Sequence, residues 1–156
     1  MKHVFDDGGR CAAGYKGFTG DCATRAIAIA AEMPYQDVYD LVNRFSEEEK
    51  PSKRRRGKSN ARTGVHKHTM DKIMSHIGWT WVPTMFVGSG CKVHLCSEEL
   101  PSGRIIARIS RHYCAVIDGV LHDTHNCAQE RSVTGMENGI PYSRTWKRAV
   151  YGYWHG

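Results

Sequence analysis

Thr19-Gly20-Asp21-Cys22-Ala23-Thr24-Arg25-Ala26-Ile27-Ala28-Ile29-Ala30 sets a small-residue turn in front of a run that is apolar on every side after Arg25. Such a run predicts a helix that passes through the core, because it has no polar face to turn to water. Asp21 or Thr19 is placed to cap the free amides of the first turn, and Gly20 relieves the backbone just before it. Cys22 then occupies the first helical position, where the positive end of the helix dipole favours the thiolate. Taken alone, this stretch reads equally well as an activated thiol or as an inert packed cysteine.

The chain around it has 156 residues, 40% of them apolar, which suits one domain with its own core. No apolar leader follows Met1-Lys2-His3 and no run is long enough to span a bilayer, so a cytoplasmic protein without a membrane contact is expected. Six cysteines without such a leader are expected as free thiols or metal ligands rather than disulfides. The net charge of +6 comes largely from one segment, and it points to solubility or to an anionic partner.

Outward from the cysteine helix, residues 1–18 read as an extended arm packing by Phe5, Tyr15 and Phe18, with a turn at Asp6-Asp7-Gly8-Gly9. Pro34 opens a second helix over about Tyr35–Phe45, striped by Val38, Leu41, Val42 and Phe45. A third runs over about His66–Ile77, with Met70, Ile73 and Met74 on its apolar face, leaving His66, His68 and His76 toward solvent. Between these helices, residues 46–63 lose all periodicity and read as an exposed, flexible basic loop. In the second half, residues 79–87 read as an edge strand because of Pro83, and residues 103–109 and 113–117 as further strands. Asp118-Gly119 is a tight-hairpin signal that returns the chain through Val120-Leu121-His122-Asp123. Residues 124–144 read as polar turns, and Trp146 to Trp154 as a last aromatic strand. Helices first and a mostly antiparallel sheet second predict an α+β fold.

The hairpin brings two chemical groups together. A two-residue turn pairs Ile117 with Val120, Val116 with Leu121 and Ala115 with His122, which sets Asp123 within one or two residues of His112. A thiol nucleophile needs a base and a group to orient it, so Cys22, His112 and Asp123 form a candidate catalytic set, with Asn126 a second candidate for the third place. The bland alternatives are a surface histidine beside Arg111 and an aspartate that serves a turn.

Gly20-Asp21-Cys22-Ala23-Thr24-Arg25-Ala26-Ile27 followed late by His112-Tyr113-Cys114-Ala115-Val116 resembles the papain-like cysteine hydrolases in their broad sense. Within that clan it is similar to the ovarian-tumour deubiquitinases and to small bacteriocin-processing peptidases. The whole chain also resembles small proteins encoded in bacteriophage and prophage genomes, which would place it in a host cytoplasm. The resemblance implies a papain-like fold with the cysteine at the start of a central helix, and cleavage of a peptide, isopeptide or related amide bond in a peptide or protein substrate. It implies attack by Cys22, proton transfer by His112, a thioester intermediate, and no cofactor or metal. The sequence departs from the family at the oxyanion hole. Lys16 stands where papain-like enzymes often carry Gln, and Thr19 where the deubiquitinases carry Asp, which leaves Lys16, Thr19 and Thr24 as candidate supports.

Two other functions compete. Lys53, Arg54, Arg55, Arg56, Lys58 and Arg62 are candidate contacts for a nucleic acid or an acidic protein, in a module that need not turn anything over. Cys91, His94 and Cys96, with His122, His125 and Cys127, are chemically suited to zinc in a structural role, although neither cluster has the knuckle spacing of a structural site. Cys114 alternates inward with Val116, and His122 is expected to share their face.

Overall fold

The computed structural model describes residues 1–17, 19–50 and 57–156. The elements follow in the order β1 (Lys2–Phe5), α1 (Cys22–Ala30), α2 (Tyr35–Glu47), α3 (Lys67–His76), β2 (Thr80–Pro83), β3 (Arg104–Ile109), β4 (His112–Ile117), β5 (Val120–Asp123), β6 (Arg131–Glu137), β7 (Ile140–Trp146) and β8 (Gly152–His155). This is an α+β arrangement. Six strands make one sheet in the order β1-β5-β4-β3-β8-β2, antiparallel throughout except for the parallel pair β1 and β5.

The helix that the opening stretch predicts begins at Cys22, and it is buried from Ala23 to Ala30. It packs chiefly on β4 and also touches β3 and β5. Strand side chains alternate between faces. Ile106, Tyr113, Ala115 and Trp154 meet α1, α2 and α3 on one side through Ile27, Val38, Val42, Met70, Ile73 and Met74. On the other side Ile105, Ala107, Ile109, Cys114, Val116 and Leu121 are covered by Leu95, Leu100, Cys127 and Val150 from connecting segments. Both faces are thus dry, and each fully buried Ile, Val or Leu contributes about 1.5–3 kcal/mol.

Helix α1 starts without a side-chain cap, contrary to expectation. The Asp21 carboxylate is drawn instead to Arg25, to the Tyr35 hydroxyl at 2.7 Å and to Arg10 at 3.4 Å. Arg25 is the one charged residue of the helix interior, and this pairing is what lets it be buried. Gly20 serves close approach rather than an unusual backbone angle, since a Cβ there would lie 3.0 Å from the Thr63 carbonyl oxygen.

The hairpin register holds as read. Ile117 faces Val120, Val116 faces Leu121 and Ala115 faces His122, with Asp118 and Gly119 both at positive φ as a tight primed turn requires. His122 therefore lies on the face of Ala115, not on that of Cys114 and Val116, and its Nδ1 sits 3.2 Å from an Asp6 carboxylate oxygen. Pro83 ends β2, which is an edge strand.

Three segments depart from the sequence reading. Residues 2–5 form a strand against β5, and Phe5 is largely exposed, so the arm is held by backbone pairing and not by that aromatic. Tyr15 does pack, stacking on Tyr39 at 4.7 Å, while Phe18 lies outside the described residues. The expected polar turns over 124–144 contain the hairpin β6–β7, turned by Asn138 and Gly139 at positive φ, and the last strand is shorter than expected. The segment expected to be an exposed loop over 46–63 begins inside α2 and buries Ser46, Ser59 and Ala61. Lys53, Arg54, Arg55 and Arg56 lie outside the described residues. Among the described residues no helix is long and apolar enough to cross a membrane.

Candidate metal centre

The centre forms where β4 begins and β5 ends. Because the hairpin aligns these two ends, His112 and Asp123 meet with Nε2 and Oδ2 2.5 Å apart. Asp123 is only 3% exposed and needs partners for every lone pair. Its Oδ1 accepts from the Thr124 amide at 2.7 Å and from Arg25 at 3.1 Å. The chain then turns immediately and brings His125 back, with Nδ1 3.7 Å from the same Oδ1 and its ring centroid 4.9 Å from that of His112. Thus His112, Asp123 and His125 each offer a ligand atom, and all three lie within 4.8 Å of one another. No other such trio of Cys, His, Asp or Glu occurs among the described residues.

The electrostatics follow from burial and pairing. Burial alone would lower the His112 pKa, but its hydrogen bond to Asp123, with smaller influences from Cys127 and Cys22, raises it to about 11. Burial works in the opposite sense on Asp123, yet His112, Arg25 and His125 outweigh it and hold the carboxyl below its ordinary range. Asp123 is therefore the charged carboxylate of the trio, and an ion held there would have to displace a proton from His112.

The geometry suits a small divalent ion. Metal–ligand bonds of about 2.0–2.1 Å in a tetrahedron separate the ligand atoms by roughly 3.4 Å. The distance from His125 Nδ1 to Asp123 Oδ1, 3.7 Å, is close to that value, whereas the 2.5 Å contact of His112 Nε2 with Oδ2 is shorter than it. Oδ1 is held by Arg25 and Thr124, and Oδ2 by His112 and the Cys127 thiol, which together orient the carboxylate.

This cluster corrects the thiol-hydrolase expectation. The Nε2 of His112 is engaged by Asp123. Cys22 is half-buried and lies along the wall of the cavity that His112 and His125 also line. Its sulfur is near enough to His112 to be one of the smaller influences that raise the imidazole pKa, after Asp123 and Cys127. The thiol that hydrogen-bonds the Asp123 carboxylate is Cys127, at 3.9 Å. What the fold assembles is a His112, Asp123 and His125 set suited to metal coordination, not the relay required for a thioester mechanism, and the enzyme assignment falls with it.

The other expected site residues are spread more widely. Asn126 is exposed and accepts from the Ala128 amide at 3.1 Å, closing its own turn. Thr24 donates to the Ala61 carbonyl at 2.6 Å, so its hydroxyl is spent on the core. Lys16 is exposed and its carbonyl accepts from Arg62, whereas Thr19 lines the cavity with its hydroxyl unpartnered among the described residues. Lys58 is exposed and donates to the Glu47 carbonyl at 3.0 Å. Arg62 lies over the Tyr15 ring, so this part of the basic segment is tied to the protein's own surface. Trp81 and Trp154 pack with tilted rings, their centroids 4.3 Å apart, and Trp154 is in the core.

The clusters considered for zinc do not join as expected. Cys91 lies 3.4 Å from His94, but Cys96 is buried and His94 is held by Glu99 at 3.0 Å. His122 is on Asp6, and Cys127 is buried beside Cys114, which contributes to lowering the Cys127 pKa. Only His125 of those six belongs to the observed trio. Its membership depends on a reversal between Asp123 and His125, and hydropathy carries no signal for that turn. Comparison with family models, with curated proteins and with solved structures finds no match.

Proposed function

We propose that the chain is a metal-binding protein in which His112, Asp123 and His125 hold one divalent transition ion, zinc being the best fit to two imidazoles and a carboxylate. The observation that carries this reading is the convergence of three ligand atoms within 4.8 Å, two of them on the aligned ends of one hairpin. Bound there, the ion ties the start of β4 to the turn after β5 and so has a structural role. The second shell supports it. Asp123 is oriented by Arg25, which is in turn held by Asp21, and Asp21 by Tyr35. On this reading the expected papain-like arrangement of residues 1–156 is a scaffold for binding rather than for turnover. Metal content of the purified chain, followed by zinc titration of chelator-treated protein, tests the proposal. One equivalent that is lost in His125→Ala supports it, and no saturable binding overturns it.

A further inference from the structure

Beside the metal centre lies a cavity of about 870 Å³, within the range of pockets that take small organic ligands. Its lining is chemically one-sided. Arg10, Arg25, Lys67, Arg108 and Arg111 all contribute to it, and no aspartate or glutamate does. Lys67 is neutralised by Asp71 at 2.6 Å, and Arg25 by Asp21 and Asp123. Among the described residues Arg108 and Arg111 have no carboxylate partner, and the contact of Arg10 with Asp21 is long at 3.4 Å. The polar inventory is also incomplete. Arg10 Nε, Thr19 Oγ1 and Arg25 Nε are buried without a hydrogen-bond partner, and all three residues line the cavity. Arg25 is itself 5% exposed. Buried donors of this kind are costly unless something accepts from them.

We infer that this cavity binds a small anionic molecule through an oxyanion group, carboxylate or phosphate, with Arg10, Arg108 and Arg111 supplying charge and the orphaned Thr19 and Arg25 groups supplying further donors. Guanidinium groups suit such anions because they present paired donors in a plane. The inference stands without the ion, since none of these five residues is a metal ligand. A bound ion would add positive charge at the His112 and His125 side of the same cavity.

The test is calorimetric titration of chelator-treated protein with inorganic phosphate and, separately, with succinate, at low ionic strength. Saturable binding of at least one probe is expected, and the probe preferred tells phosphate from carboxylate. Arg111 is exposed, so Arg111→Gln is compatible with an unchanged fold. Both it and Arg108→Gln should weaken binding about tenfold, whereas Lys147→Gln, away from the cavity, should leave it unchanged. Absence of saturable binding for both probes, or equal affinity in all three variants, overturns the inference. Because the metal is stripped first, failure of zinc binding leaves this result intact.

Discussion

Replacing Asp123 with asparagine tests whether the buried carboxylate holds this end of the sheet together. Asp123 is 3% exposed, the Arg25 side chain is 6% exposed, and they meet at 3.1 Å. The substitution keeps the shape and removes the charge, leaving Arg25 and His112 to face a neutral amide. Breaking a buried ion pair by removing one partner costs about 3–5 kcal/mol. Arg25 retains Asp21 as a second partner, so the lower end of that range, about 3 kcal/mol, is expected in the metal-free protein. For a chain of this length that is a fall in Tm of roughly 6–12 °C. Urea unfolding followed by far-ultraviolet circular dichroism in the presence of a chelator measures it. Combining the change with Arg25→Met should cost clearly less than the sum of the two single variants, because the groups share one interaction. A loss below about 1 kcal/mol, or strict additivity, would show that the network contributes little.

Other consequences are open to direct measurement. Gly152→Ala should destabilise by more than about 3 kcal/mol, since the new Cβ would sit 2.6 Å from the Val82 carbonyl oxygen and 2.3 Å from the Trp81 ring; the unfolding midpoint reads this. Burial raises the Glu49 pKa, but hydrogen bonds from Ser59 and Thr69 outweigh it, so the folded value lies below the unfolded one. Its stabilisation is therefore complete above the unfolded carboxylate pKa of about 4.3 and is lost as pH falls through the folded value, and Glu49→Gln should flatten stability against pH on that acid limb. Saturating zinc should stabilise the wild type by about 2.7 kcal/mol at one hundred times Kd, visible as a shift in Tm that His125→Ala abolishes. His125 is exposed, so His125→Ala should change metal-free stability by no more than about 0.5 kcal/mol.

Local chemistry made the central features readable. The all-apolar run after Cys22 specifies a buried helix, and Asp118-Gly119 fixes a register that brings His112 and Asp123 together. What escaped is mostly non-local. The parallel pairing of β1 with β5 joins residues about 118 apart, and Lys2–Phe5 carries no mark of that partner. The β6–β7 hairpin did have a signal, Asn138-Gly139, but its strands are polar and exposed and lack a clear apolar alternation. Ser59 and Ala61 are buried within a stretch whose charge suggested full exposure, because Ser46, Asn43 and Thr24 bind its backbone. At the site, the pairing of His112 with Asp123 was legible from the hairpin, but His125 as the third member was not. Order along the chain does not say that His125 turns back toward Asp123.

Zinc titration of chelator-treated wild type, His125→Ala and Cys22→Ala, followed by calorimetry, addresses the metal centre most directly. Wild type and Cys22→Ala should bind one equivalent with equal affinity, and His125→Ala should bind at least about 10–100-fold more weakly. Zinc binding that is absent from the wild type, or that survives His125→Ala unchanged, would contradict a metal centre at His112, Asp123 and His125.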